Sequence, residues 1–465
     1  MSAGAFYDGD TIAALATPAG PGGIGILRIS GPQASAVAGR LFAPADPRLD
    51  PAQLPERQMV LGRLLDPASG QALDQVLAVR FAAPRSYTTQ EVVEMQCHGG
   101  PAVLRAALAA ALAAGCRLAR PGEFTLRAFL GGRLDLSQAE AVAQLVSAHS
   151  QVEARLALAG LAGGLARELA PVRAALTEAA AAVEAAIDFP EEVAEIAGPQ
   201  LVARLRDEAV QPLARLVEAR QRGRVWREGA LVVICGRPNV GKSSLFNALL
   251  GQNRAIVTEL AHTTRDSIEE AAILGGVVCR LTDTAGLGLA AGDLERLGMA
   301  AARQRLAAAD LALVVLDASQ PINDEDREVL ELTRPLPRVL ALNKADLPAA
   351  WGPEELRAAG PRLSVSAKYG QGLEGLAASV AAALTGGQPE PGPGEAVASA
   401  RQAQALAAAR EAAQRALTGL QAADPQPELV AVDLAEALAR LGEVDGQGAP
   451  EEVIEAVFAN FCVGK

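Results

Sequence analysis

The residues Gly236-Arg237-Pro238-Asn239-Val240-Gly241-Lys242-Ser243 have the spacing G-x-x-x-x-G-K-S. Glycines at those places let backbone N–H groups close round a phosphate, and a helix N-terminus behind them adds partial positive charge. Lys242 would reach the β- and γ-phosphates, and the Ser243 hydroxyl would sit on Mg²⁺. Alone, such a loop does not tell ATP from GTP. Asn343-Lys344-Ala345-Asp346 supplies the discrimination. A carboxylate at 346 accepts two hydrogen bonds from the N1–H and exocyclic amine of guanine, a pair that adenine lacks. Asn343 is expected to help with the opposite edge of the base, and Lys344 to pack its stem over it. Ser364-Val365-Ser366-Ala367-Lys368 offers backbone N–H groups for the guanine O6. Asp283-Thr284-Ala285-Gly286 places a carboxylate to hold Mg²⁺ through water and an N–H to sense the γ-phosphate. Thr263-Thr264-Arg265-Asp266 lies where a switch loop belongs, and one of its threonines would complete the Mg²⁺ shell. The order of these motifs reads as a guanine-nucleotide hydrolase.

Two residues have two readings each. Leu287 stands where many small G proteins carry a water-orienting glutamine, so the attacking water needs another anchor. Glu295 could reach in from Gly288–Arg296, or it is a solvated helix residue. The Asn239 amide could hold a monovalent cation where an arginine finger otherwise neutralises charge, or it only stabilises the loop.

These motifs need strands and helices to hold them. Leu231–Cys235 reads as a buried strand and Ser244–Leu250 as the helix after the loop. Strands are also expected at Val277–Leu281 and Val339–Leu342. From about 230 to 385 the alternation predicts a parallel α/β sheet. Upstream, Ile24–Ile29, Gln75–Phe81 and Val92–Gln96 read as strands and Pro101–Ala114 as a helix, an α+β domain. Residues 137–224 and 396–459 are rich in Ala, Leu, Glu and Arg at helical spacing, with Pro171 and Pro190 as punctuation. The expected fold is multidomain α/β and α+β: an N-terminal domain over 1–120, a helical domain in two parts (121–228 and 386–465), and an inserted P-loop G domain over 229–385.

Composition sets bounds. A chain of 465 residues suggests about three domains. Its net charge of −12 excludes bulk attraction to nucleic acid, though not a local basic patch. Five cysteines without a CxxC pair suit a reducing cytoplasm. No signal peptide and no membrane span are expected. With three histidines, His98, His149 and His262, a Ser-His or Cys-His hydrolase is poorly supported.

Further strings carry a resemblance: Gly22 to Ser30, Ser86-Tyr87-Thr88, His98-Gly99-Gly100-Pro101, Arg120-Pro121-Gly122-Glu123-Phe124, Leu134 to Ala141, and the terminal Phe461-Cys462-Val463-Gly464-Lys465. With the G motifs they resemble the MnmE (TrmE) family, GTPases of tRNA wobble-uridine modification, over essentially the whole chain. That resemblance implies an N-terminal domain that makes a homodimer and binds a tetrahydrofolate derivative (5-formyl or 5,10-methylene) at Arg28, Glu94, Arg133 and Lys465. Read without it, Arg28 and Glu94 are a strand-edge ion pair. Arg133 stands where the family commonly has lysine. The implied GTP-binding set is Asn239, Val240, Gly241, Lys242, Ser243 and Ser244; Thr258, Glu259, Leu260, Ala261, His262, Thr263 and Thr264; Asp283, Thr284, Ala285 and Gly286; Asn343, Lys344, Ala345 and Asp346; and Ser366, Ala367 and Lys368. The implied catalytic residues are Lys242, Asp283 and Glu295; Ser243 and Thr264 would hold Mg²⁺, and Asn239, Thr258, Leu260 and Thr263 would hold K⁺. His262 replaces a usual glycine. Cys462 is conceivable as a functional thiol. The implied partners are an MnmG-like FAD protein and tRNA, with no membrane. Two rivals stay open: a regulatory GTPase of ribosome assembly, and a folate-dependent transferase with an accessory G domain.

Overall fold

The computed structural model describes residues 9–188, 198–253, 269–283, 305–351, 360–392, 397–459, 461–462 and 464. The chain divides into two compact units. One comprises Met1–Val146, Gly160–Ala214 and Ala400–Lys465; the other comprises Ser147–Ala159 and Arg215–Ser399.

The first unit is built on a seven-stranded sheet, ordered β3-β4-β5-β6-β2-β1-β7. The strands are β1 (Ile12–Leu15), β2 (Ile24–Ser30), β3 (Phe42–Pro44), β4 (Val60–Leu65), β5 (Ala72–Phe81), β6 (Val92–His98) and β7 (Arg117–Leu118). In β2, Leu27 and Ile29 are buried while Arg28 points to the other face, the period-two pattern of a half-covered strand. The helix Pro101–Ala113 starts on proline and packs Leu104, Ala107, Ala110 and Ala111 into the core with Leu27, Val93 and Met95. A Cβ on Gly25 would lie 2.4 Å from Leu104 Cδ2, so only glycine lets helix and strand meet this closely. The β1, β3 and β4 strands are too short or too interrupted to show a period in the sequence.

The longest helices of this unit are Gly164–Asp188, Ala400–Leu420 and Pro427–Asp445. Pro171 does not punctuate: it lies inside the 25-residue helix Gly164–Asp188. Proline inside a helix costs about 3 kcal/mol. Leu165, Leu169, Val172, Leu176 and Val183 are buried along one face, and that packing outweighs the local preference. Pro190 lies outside the described residues. The chain end docks within this unit: the Gly122 N–H donates to the Cys462 carbonyl at 3.3 Å, and Phe461 is buried. Gly464 has φ +97°, and a Cβ there would meet the Leu15 carbonyl oxygen at 2.2 Å.

The second unit carries a six-stranded sheet, ordered β13-β12-β11-β8-β10-β9. These are β8 (Ala230–Cys235), β9 (Glu269–Leu274), β10 (Val277–Asp283), β11 (Leu311–Asp317), β12 (Arg338–Asn343) and β13 (Arg362–Ser364). All pairings are parallel except β9 on β10. The expected parallel sheet is thus corrected at one edge, where Gly275-Gly276 closes a tight antiparallel hairpin. Val152, Leu156, Val225 and Trp226 share the core of this sheet, so the unit reaches upstream of residue 229. Among the described residues no helix is long and apolar enough to cross a membrane.

Candidate functional site: the carboxyl ends of the G-domain strands

Parallel α/β sheets gather ligand-binding groups outside the carboxyl ends of their strands. Here β8 runs into Gly236, β10 ends on Asp283, β11 on Asp317 and β12 on Asn343. Register brings Asp283 opposite Ile234 and Asp317 opposite Asn343.

The phosphate loop is held by contacts that leave no room for side chains. Gly236 has φ +152°, and a Cβ on it would lie 2.4 Å from the Val315 carbonyl oxygen. Gly241 has φ +96°, and its Cβ would lie 2.3 Å from Asn343 Nδ2. That nitrogen donates to the Val240 carbonyl at 2.9 Å. Asn239 holds φ +63°, a conformation asparagine tolerates better than most residues. Lys242 begins the helix Lys242–Asn253 and is buried. Its Nζ donates to the Arg237 carbonyl at 2.8 Å. Burial lowers the Lys242 pKa, and the Asp283 carboxylate works against that shift. The Arg237 guanidinium is itself tied to Asp326 at 3.2 Å and Gln320 at 2.8 Å. Asp326 closes the capping box of helix Asp324–Leu332. The Ser243 hydroxyl donates to Asp283 Oδ2 at 2.8 Å. A hydroxyl and a carboxylate so placed are hard oxygen donors, which fits a small divalent cation.

The Asn343–Asp346 segment is equally organised. Ser366, fully buried, donates its hydroxyl to Asp346 Oδ1 at 2.6 Å, while Asp346 itself is exposed. Asn343 is only 3 % exposed, and both ends of its amide bind backbone: Nδ2 to Val240, and Oδ1 to the Ala367 N–H at 3.1 Å. Its visible work is to clamp the phosphate loop to the Ser366–Lys368 turn. The Ser366 N–H donates to the Gln371 carbonyl, so the N–H groups of Ser366 and Ala367 both have partners within the protein. Lys344 pairs with Asp317 at 2.7 Å. Sequence reasoning passed over Asp317, Arg237 and Asp326, because their roles depend on side chains meeting across the sheet edge. Thr258, Glu259, Leu260, Ala261, His262, Thr263, Thr264, Thr284, Ala285, Gly286 and Glu295 lie outside the described residues.

In the other unit, Arg28 and Glu94 are register partners across β2 and β6 and pair at 2.7 Å. Arg28 also donates to the Gly464 carbonyl at 3.2 Å. Its guanidinium lies over the rings of Tyr87 (5.7 Å) and Phe124 (5.5 Å), and that of Arg133 lies 5.1 Å from the Tyr87 ring centroid. A cleft of about 610 Å³ opens here, with Arg57, Arg85, Tyr87, Glu94 and Arg133 among its walls. Arginines round an aromatic ring suit a flat ligand carrying carboxylates. Tyr87 stood in a motif noted in the sequence without being taken as a site residue. Lys465 lies outside the described residues, and Cys462 is exposed.

Two family profiles match this chain: the GTP-binding protein TrmE N-terminus over residues 11–133, and the MnmE helical domain over residues 136–462. A curated relative named tRNA modification GTPase MnmE, from Roseiflexus sp. (strain RS-1), is 45% identical over 99% of this chain and 100% of its own length. A relative of the same name from Moorella thermoacetica is 45% identical over 98% of this chain and 99% of its own. The chain belongs to the MnmE family. Among solved structures, the G domain of the T. maritima FeoB iron transporter covers 33% of this chain and 98% of that one, at 28% identity and a TM-score of 0.26. Membership of the MnmE family accounts for the G motifs and the N-terminal strings together, which a phosphate loop alone does not.

Proposed function

We propose that this GTPase of the MnmE family works in the cytoplasm on tRNA. With an MnmG-like FAD-dependent partner it installs an aminomethyl or carboxymethylaminomethyl group at C5 of the wobble uridine, position 34. What supports this reading most is the presence on one chain of both clusters, the nucleotide site at the β-strand ends and the cleft lined by Tyr87, Glu94 and Arg133, with Arg28 paired to Glu94. A ribosome-assembly switch has no use for the second cluster. A transferase with an idle G domain has no use for a buried Lys242 and a Ser243–Asp283 pair.

In the G domain, Lys242 neutralises charge on the β- and γ-phosphates as the bond from the γ-phosphorus to the bridging oxygen breaks and a water oxygen takes its place. Ser243 and Thr264 would hold Mg²⁺, with Asp283 reaching it through water. Asn239, Thr258, Leu260 and Thr263 hold K⁺, and Glu295 orients the water. Two G domains of a homodimer meet across their nucleotides, so hydrolysis opens and closes the pair as an order–disorder switch. The folate derivative is held by Arg28 and Glu94 of the N-terminal domain (1–120) together with Arg133 and the terminal Lys465, the basic groups facing its carboxylates. Bound there, the tetrahydrofolate derivative supplies a one-carbon unit.

The deciding experiment is mass spectrometry of wobble uridines from cells lacking the protein. Loss of the C5 modification is expected; unchanged nucleosides would remove the pathway while leaving the GTPase. GTP turnover is also expected to run faster in K⁺ than in Na⁺ at equal ionic strength. Equal rates would count against the Asn239 cation site.

A further inference from the structure

Asp317 ends β11, and its side chain is 1% exposed. Every visible acceptor on it is used. Oδ2 takes the Lys344 ammonium at 2.7 Å. Oδ1 takes the Ser319 N–H at 2.9 Å and the Ser319 hydroxyl at 2.6 Å. The Asp317 carbonyl takes the Trp351 indole N–H at 3.2 Å. Burial pushes the Asp317 carboxyl up, but Lys344 and the Ser319 bonds outweigh it and hold the group below its ordinary value. Lys344 meanwhile sits at φ +64°, a left-handed conformation that is strained for a non-glycine residue. Such strain persists where surrounding contacts over-determine it, and it clusters at binding sites.

We propose that Asp317 is a positioning residue for guanine-base recognition: by fixing the Lys344 ammonium it sets the strained Asn343–Asp346 turn, so that the lysine stem and the Asp346 carboxylate are in place before the nucleotide arrives. This rests on the guanine-nucleotide reading of that turn. A charge-assisted contact that pre-orders a binding loop acts on affinity, because the cost of ordering is already met. It does not act on the phosphates, so its effect is the same for GDP and GTP.

The test is Asp317→Asn in the full chain. Asparagine keeps an acceptor for Ser319 but presents an N–H₂ to the Lys344 ammonium. We expect GDP and GTP affinity, followed with fluorescent nucleotides, to fall equally by about 10- to 100-fold. The KM for GTP rises by the same factor, with kcat at saturation within twofold. Trp351 is one of two tryptophans, so in a Trp226→Phe background its emission shifts in Asp317→Asn. Because Asp317 acts through Lys344, Asp317→Asn combined with Lys344→Met should be no weaker than Lys344→Met alone. Ser319→Ala, a milder change, should raise KM a few-fold with kcat unchanged. The proposal is overturned by unchanged nucleotide affinity in both Asp317→Asn and Ser319→Ala, by a fall in kcat at constant KM, or by additive losses in the double variant. If the wild type holds ATP as tightly as GTP, the guanine reading itself is lost. A guanine-selective wild type with an indifferent Asp317→Asn removes only this inference.

Discussion

Asp346→Asn is expected to convert a guanine-nucleotide site into a xanthine-nucleotide site. The Asp346 carboxylate offers two acceptor oxygens, one of them already oriented by the Ser366 hydroxyl at 2.6 Å. Guanine presents two donors on that edge, N1–H and the C2 amine. Asparagine keeps one oxygen and turns the other into an N–H₂ donor. One pair then sets donor against donor, and both lose the help of the charge. A site built to hydrogen-bond a group rejects the mismatched ligand by roughly 10³-fold or more. Xanthine carries a C2 carbonyl where guanine carries the amine, so it accepts from the new N–H₂ and still donates its N1–H. The variant should therefore bind XDP better than GDP in a competition titration. It should hydrolyse XTP with nearly the wild-type kcat, because Lys242, Ser243 and Asp283 are untouched. GTP affinity within tenfold of the wild type would mean that Asp346 does not read the base.

That substitution tests a part of the protein legible in the sequence, and the reason is local. The phosphate loop and Asn343–Asp346 are contiguous strings whose backbone conformation and chemistry belong to the same few residues. The flanking strands were legible too, because β8, β10 and β12 are buried apolar runs. What stayed hidden was relational. Asn343 has the right type for the purine edge, but its amide spans Val240 and Ala367, a role set by how close β12 brings it to the phosphate loop. Asp317 is an ordinary strand-terminal carboxylate until register places Asn343 beside it. The antiparallel β9 edge was missed because a two-glycine hairpin reverses the chain where alternation suggested another crossover. Pro171 was misjudged because local propensity is a weak term beside a buried helix face. For Arg28 the strand-edge ion pair was legible in the sequence, and its further contacts were not. Arg28 pairs with Glu94 and also faces Tyr87 and the chain end, so one guanidinium joins the cleft to the tail.

Arg127→Ala is expected to cost the unit built on the seven-stranded sheet about 3–5 kcal/mol of stability. Arg127 is 1 % exposed. It donates to Asp10 Oδ1 at 2.6 Å, to Glu123 Oε1 at 2.9 Å, and to the Asp10 carbonyl and Gln90. Arg117 bridges the same two carboxylates from the other side. Two arginines and two acids thus tie residues 10, 117, 123 and 127 together, with Arg127 and Glu123 buried and Arg117 and Asp10 part-exposed, and they hold β1 and β7 to the helix Glu123–Leu130. Removing Arg127 leaves the Glu123 carboxylate, 3% exposed, with Arg117 as the arginine that remains. The loss should fall toward the lower end of the range for that reason, and Arg127→Lys should lose less, since it keeps the charge but not the fork. Calorimetry of the full chain separates the two units: added GDP raises the transition of the nucleotide-binding unit, and the other transition is the one that Arg127→Ala lowers. The pH dependence gives a second reading. Burial raises the pKa of Glu123 and of Asp10, but the arginines outweigh it and both carboxyls end below their ordinary values. A group whose folded pKa is depressed gives its full stability above its unfolded value, near pH 4, and loses it as pH falls through the folded value. The wild-type transition should therefore drop steeply on acidification below about pH 5, and less steeply in Arg127→Ala, where the pull on both carboxyls is weaker. Equal slopes, or a shift under about 1 kcal/mol, would show that water already shares the burden of these charges.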